Sequence, residues 1–245
     1  MPRGIAKPFV DVTHYPRWIQ DVVHDTTKTA HAVANHEAWR RFSDGTISES
    51  KHHALLIGFW PLIERFPQFL ALNLLKCSYS DDLTLNAARG WLIKNLRIEQ
   101  RHAEWYRDWA VAAGIPEIRL FHAPRSAMAT AITDWCWNIC EIGSLAEGMA
   151  ATNYAIEGVT GEWSKIVAES EPYQARFPES VRKKAMKWID AHAVYDVKHP
   201  VEALDLVHRL LGPDPAPSKI KGITEAIQKS YDLYLLALDA GMQGN

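Results

Sequence analysis

Apolar residues return every three or four positions along almost the whole chain, and the alternation that marks strands is absent. That period predicts amphipathic helices, with Gly, Pro and capping residues marking where each one stops. Residues 15 to about 42 read as one or two helices ending at Ser43-Asp44-Gly45. Ser48 caps a long second helix through LLIGFWPLIERFPQFLALNLL, bent by Pro61 and Pro67. Thr84 opens a third, closed by Gly114 and followed by Pro116. A fourth covers roughly 125–142, and a fifth starts at Ser144 and carries LAEGMAATNYAIEGVTGEWSKIVAE. Pro178 begins a sixth, which Pro200 stops or sharply bends. VEALDLVHRLL and SKIKGITEAIQKSYDLYLLALDAG supply two more, on either side of the turn Gly212-Pro213-Asp214-Pro215. No internal repeat or low-complexity segment interrupts the pattern. The expectation is an all-α bundle of seven to eight helices, folded as a single domain over residues 1–245.

Certain polar residues fall on the apolar faces of these helices, where an unpaired carboxylate or imidazole is costly. On the third helix, Ala88, Leu92, Leu96, Glu99, Ala103 and Tyr106 form one stripe, and His102 lies one turn beyond Glu99 on the same side. On the sixth, Val181, Ala185, Trp188 and Ile189 lead to His192, Asp196 and His199, stacked along one edge by spacings of four and three. The fifth contributes Glu157 after Ala146, Ala150 and Asn153, and the second contributes Glu64 after Ile57 and Trp60. Four carboxylates and three imidazoles on four helices suit a pair of cations inside a helical bundle. The spacing departs from ferritin-like proteins, which repeat Glu-x-x-His on two helices. Here one copy is replaced by His-x-x-x-Asp-x-x-His.

With 245 residues and 47 % hydrophobic content, the chain can bury a full-sized core. A formal net charge of −2, with basic and acidic residues interspersed, leaves no electrostatic footprint for nucleic acid or an anionic membrane, so a small molecule is the expected partner. The N-terminus lacks the apolar core of a signal peptide and no long uncharged apolar run occurs, so a soluble cytoplasmic protein is expected. Cys77, Cys136 and Cys140 are too few for a disulfide framework and read as reduced thiols. Histidines outside the ligand spacing, such as His36, His52 and His53, are expected to be exposed or capping. No Rossmann fingerprint, P-loop or CxxC pair is present, so no organic cofactor is implied, and electrons beyond those of the substrate must come from an external reductant. Phe59, Trp60, Tyr154, Trp188 and Tyr234 offer aromatic surface for a substrate channel, while Arg97, Arg101 and Lys187 project from other helix faces. An apolar substrate is favoured.

Three segments, WLIKNLRIEQRHAEW, MAATNYAIEGVTGEWS and RKKAMKWIDAHAVYDVKHPVEAL, carry a resemblance to the haem-oxygenase-like di-iron oxidases and oxygenases, which share the TenA and PqqC fold. Within that family the chain resembles the UndA-type fatty-acid decarboxylases. The family's metal-ligand positions match Glu64, Glu99, His102, Glu157, His192, Asp196 and His199. The resemblance implies two Fe(II) per chain, O2 as co-substrate, and catalysis by the metal ligands without a separate protein acid or base. It also implies conversion of a medium-chain fatty acid to a terminal alkene and CO2, by removal of a hydrogen from the β-carbon. The alternatives are a di-iron oxygenase acting on an amine or amino acid, which needs a charged anchor, and a metal-free TenA-like or PqqC-like hydrolase or binding protein. Because Pro200 disfavours helical geometry at His199, the iron site using Asp196 and His199 is expected to be the labile one. A homodimer is compatible with a chain of this size.

Overall fold

Each long apolar stripe forms a helix in the computed structural model, which describes residues 7–195 and 198–244. The chain runs α1 (Arg17–Ala34), α2 (Glu37–Ser43), α3 (Glu49–Glu64), α4 (Phe66–Leu74), α5 (Leu83–Glu99), α6 (His102–Ala112), α7 (Glu117–His122) and α8 (Ala127–Ile142). It continues through α9 (Leu145–Met149), a π-helix (Ala150–Ile156), α10 (Glu157–Ala168), α11 (Glu171–Gln174), α12 (Glu179–Tyr195), α13 (His199–Leu211) and α14 (Pro217–Gln243). No strand occurs among the described residues.

The expected capping signals act where the sequence places them. Ser48 accepts from Lys51 N–H at the start of α3, and Gly45 and Gly114 take the left-handed conformation after α2 and α6, with φ of 67° and 90°. The third expected helix starts one step earlier than Thr84, because Asp82 accepts from the Thr84 and Leu85 amides. Ser144 opens α9 with a capping box, its hydroxyl accepting from Glu147 N–H while the Glu147 carboxylate accepts from Ser144 N–H.

Segments outnumber the seven to eight expected helices because the long ones are cut, besides the two short additions α7 and α11. The second is interrupted at Arg65, where Pro67 restarts it as α4. The third is interrupted at Gln100 and Arg101, where Arg101 N–H turns back to Ile98 C=O at 3.4 Å. The fifth passes through the π-helix. The sixth is described as α12 up to Tyr195, and after a turn at Lys198 α13 begins at His199 with Pro200 in its first turn.

α10 packs on α12 and α12 on α6, while α14 runs along α1, α3, α8 and the π-helix, and α5 reaches α13. Their buried faces form one hydrophobic cluster. The α3–α4 stretch Glu49–Leu74 is, by length and composition, long and apolar enough to cross a membrane, with mean hydropathy 1.2. In this fold its apolar residues pack against α6, α8 and α14.

The capping box generates a stability prediction. Hydrogen bonds from the Ser144 hydroxyl hold the Glu147 carboxyl below its ordinary range, so its contribution is present above the unfolded pKa and lost as pH falls through the folded one. Ser144→Ala is expected to cost about 1 kcal/mol near neutral pH. The difference from the parent should narrow below about pH 4, as read by urea unfolding at the two pH values.

Candidate metal centre

The helix interruptions lie where the polar pattern lies. Glu99 is the last residue of α5 and His102 the first of α6, Glu157 is the first of α10 after the π-helix, and His199 is the first of α13. All of these, with His192 from α12, are buried. π-helical turns are rare and concentrate at functional sites; this one brings Asn153 one turn before Glu157, and its amide donates to Glu157 Oε1 at 2.8 Å.

Around a small cavity of about 20 Å³ stand Glu99, His102, Glu157 and His192, with Ile63, Phe66, Ile156, Thr160 and Trp188 completing the wall. One ligand atom each from Glu99, Glu157 and His199 lies within 4.8 Å of the others. His102 Nδ1 is 2.8 Å from Glu99 Oε2, the His102 and His192 rings are 4.6 Å apart, and His199 Nδ1 is 3.2 Å from Glu157 Oε2.

Imidazole tautomers follow from the neighbours. A carbonyl only accepts, so His192 Nδ1–H donates to Trp188 O at 2.7 Å, leaving the Nε2 lone pair for a metal. Burial, reinforced by the nearby His102, holds His192 well below the ordinary imidazole range, so it is neutral. Its ring also stacks on Trp188 at 3.8 Å. His102 Nε2 is buried without a hydrogen-bond partner among the described residues.

Electrostatics ask for a cation. Burial raises the Glu157 carboxyl against the pull of His199. For His199 burial works downward, but the hydrogen bond and charge of Glu157, with Glu99 and Glu202, outweigh it and raise the imidazole. Glu157 and His199 therefore form a close pair, their nearest atoms 3.2 Å apart, and no Lys or Arg lines the cavity among the described residues. Carboxylates and imidazoles converging on one buried spot, with an imidazole nitrogen left over, are a donor set that fits iron.

Five of the seven expected ligands meet here. Asp196 lies outside the described residues. Glu64 is a correction: its side chain is 41 % exposed beside Arg65, and it lines an outer cleft with Gln68, Asp134 and Trp137. The reason is helical phase. Ile63 faces the cavity, and one residue further on α3 is turned by about 100°.

The same phase argument sorts the expected channel residues. Phe59, Trp188 and Tyr234 line an aromatic cleft with Leu56, Tyr106, Trp109 and Trp163. This cleft shares Ile63 and Trp188 with the metal-side cavity. Trp60, adjacent to Phe59, instead packs against Tyr106 and Phe121 on another face. Tyr154 lines a separate cavity with Val23, Thr26 and Pro200. Neither borders the cleft or the metal-side cavity. Asn153 and the wall residues Ile63, Phe66 and Thr160 were not singled out as site residues by sequence; the only signal was that Asn153 shares a helix face with Glu157.

The remaining polar groups are structural. His36 caps α2 as expected; His53, though buried, bonds the Ala113 carbonyl at the end of α6 at 2.8 Å, while His52 is buried and neither exposed nor capping, which corrects the expectation for it. His52 Nε2 bonds the Tyr173 hydroxyl at 2.9 Å, and burial pulls its pKa down to about 3. The three cysteines are free and buried. Burial raises Cys136 well above the ordinary thiol range and pushes Cys140 up to about 12, which disfavours a thiolate nucleophile.

A family model for an iron-containing redox enzyme matches residues 53–235. The chain is 36 % identical to a TenA homolog of known structure from Pseudomonas syringae pv. tomato, covering 98 % of this chain and 99 % of that one with a TM-score of 0.93. A Shewanella denitrificans domain of unknown function with a heme oxygenase-like fold is 13 % identical, with a TM-score of 0.70 over 96 % of this chain and 93 % of that one. Similarity extends to the 4-aminobenzoate synthase of Chlamydia pneumoniae, 23 % identical over 82 % of this chain and 86 % of that protein. With its buried Glu and His cluster set in this helical fold, the chain belongs to the family of iron-containing redox enzymes.

Proposed function

We propose that this protein is a non-haem di-iron oxidase that uses O2 to convert a medium-chain fatty acid to a terminal alkene and CO2. The observation that carries the substrate reading is that the Glu and His cavity shares the walls Ile63 and Trp188 with a cleft lined by aromatic and aliphatic side chains, without a charged residue among those lining that cleft. An amine or amino acid needs a charged or hydrogen-bonding anchor along its length, whereas an alkyl chain needs such a wall and a polar end point. Most of the cleft's polar tips are already engaged, as where Tyr106 O–H donates to Leu56 O at 3.0 Å and Trp163 Nε1–H donates to the Tyr234 hydroxyl at 3.1 Å; Trp188 Nε1, on the wall shared with the metal-side cavity, is the exception among the described residues.

Glu99, His102, Glu157, His192 and His199 would hold the irons, with Asp196 joining them by resemblance. The metal pair supplies O2 reduction and a Lewis-acid seat for the substrate carboxylate. The protein's own work is to exclude water and to orient the acid. Ile63, Phe66, Ile156 and Trp188 dry the cavity wall. Trp188 Nε1 is buried without a hydrogen-bond partner among the described residues, which leaves its N–H for a substrate oxygen. Asn153 fixes the Glu157 carboxylate, and the Trp188 carbonyl fixes the His192 ring. Removing a β-hydrogen and CO2 takes one electron pair from the acid. Reducing O2 to water takes two pairs, so an external reductant supplies the second.

Three outcomes test this reading. Anaerobic titration with Fe(II) should approach two irons per chain, and Asn153→Ala should weaken binding by about 10- to 100-fold, the loss typical of an outer partner of a metal ligand. Because a metal would compete with the proton on His199, whose imidazole is raised above its ordinary value, affinity should rise with pH across the neutral range, with proton release seen by calorimetry. The iron-loaded protein, given O2, a reductant and a panel of acids, should release alkenes detectable by headspace gas chromatography, and Glu157→Ala or His192→Ala should abolish them. Oxidation of amines or amino acids without alkene formation would overturn the substrate assignment and leave the family membership intact.

A further inference from the structure

The cleft beside the metal centre is small, about 20 Å³, whereas a groove of about 650 Å³ lies on the other side of α3, between α3, the α7–α8 connection and the end of α14. We propose that this groove is the entrance for the fatty acid and that Phe59 is the gate between it and the metal-side cleft; the inference rests on the fatty-acid reading above.

Leu55 and Phe59 belong to both walls, lining the groove and the aromatic cleft alike. Ile63, four residues further on, lines the cleft and the metal-side cavity. The three stand on one face of α3 at intervals of four, a rail of about 12 Å at 1.5 Å per residue. An alkyl chain sliding along that rail passes from groove to metal without leaving apolar surface.

Phe59 is the side chain that can give way. Its ring packs on Tyr234 at 5.0 Å, and the Tyr234 hydroxyl is tied to Trp163 and Thr160 at 3.1 and 3.4 Å. Phe59 has no polar tie, so a rotamer change on its side opens the wall while Tyr234 stays fixed.

The groove also carries the charge that an acid needs at its mouth. Among the described residues Arg119 and Arg125 line it with one carboxylate, Glu49, and α8 begins there, capped by Ser126, with its positive dipole end at the groove. Deeper in, the lining becomes Ile57, Gly58, Ala129 and Ala237. A carboxylate is drawn in by the arginines, and the small apolar residues leave space for the tail that follows.

The test uses ω-bromodecanoic acid, whose bromine quenches tryptophan, with Trp39, Trp109, Trp163 and Trp188 in the cleft as reporters. Stopped-flow mixing with the purified protein gives the association rate. Ala54→Phe, which plugs the groove from a half-buried position on its wall, should slow association about tenfold, and Phe59→Ala should raise it by a similar factor. Should Phe59→Ala fail to fold, Ala54→Phe alone decides, because its side chain projects from the groove wall and not from the core. Quenching at parental rates in the folded variants would overturn the entrance while leaving the fatty-acid reading in place. No quenching of the parent protein would overturn both.

Discussion

Two carboxylates and three imidazoles buried together in the middle of a helical core are the constraint around which this protein is arranged. Isolated buried charges of this kind are strongly unfavourable, and among the described residues no Lys or Arg lines the cavity to offset them. The protein alone sets Glu157 3.2 Å from His199 and holds the His192 ring by a backbone carbonyl. A metal ion bound here would add positive charge among these groups and would give the leftover His102 nitrogen a partner. The same groups that burden the fold are therefore the ones that define its chemistry.

The backbone around the cluster is irregular in a consistent way. Glu99, His102, Glu157 and His199 stand at the first or last position of a helix, beside a two-residue break, a π-helix or a proline restart. An unbroken α-helix presents side chains only along a fixed spiral, so ligands on four uninterrupted rods converge from a narrow set of directions. Each interruption rotates or shifts a ligand relative to the apolar face that anchors it. Local regularity is given up where several side chains must meet at one point, and the packing of α6, α10 and α12 holds the result in place.

Packing on the far side of the centre is dominated by indoles. Trp163 stacks on Trp39 at 3.9 Å, and Trp188 stacks on Trp163 and Trp109 at 5.8 and 5.6 Å. Such rings lose little conformational freedom on burial and keep their edges in register. They make a rigid aromatic wall beside the Glu and His cluster. Phe59, between this wall and the outer groove, is the less tethered member of its ring pair.

How much was legible beforehand depends on which physical rule each feature obeys. Helix identity, the Ser48 and Ser144 caps, the Gly45 and Gly114 stops and the Pro200 break follow local rules, so the chain determined them by itself. Glu-x-x-His and the run toward His199 were visible because three- and four-residue spacings place side chains on one helical edge. Which of two neighbouring residues faces inward was not visible. Ile63 and Glu64, or Phe59 and Trp60, differ by about 100° around α3, and only the positions of α6, α10 and α14 decided that Ile63 and Phe59 turn toward the centre. The π-helix was hidden for a related reason, since its i→i+5 ladder has no composition of its own. Tertiary packing chose the phase of each helix, because phase is settled by the neighbour that a stripe meets and not by the stripe.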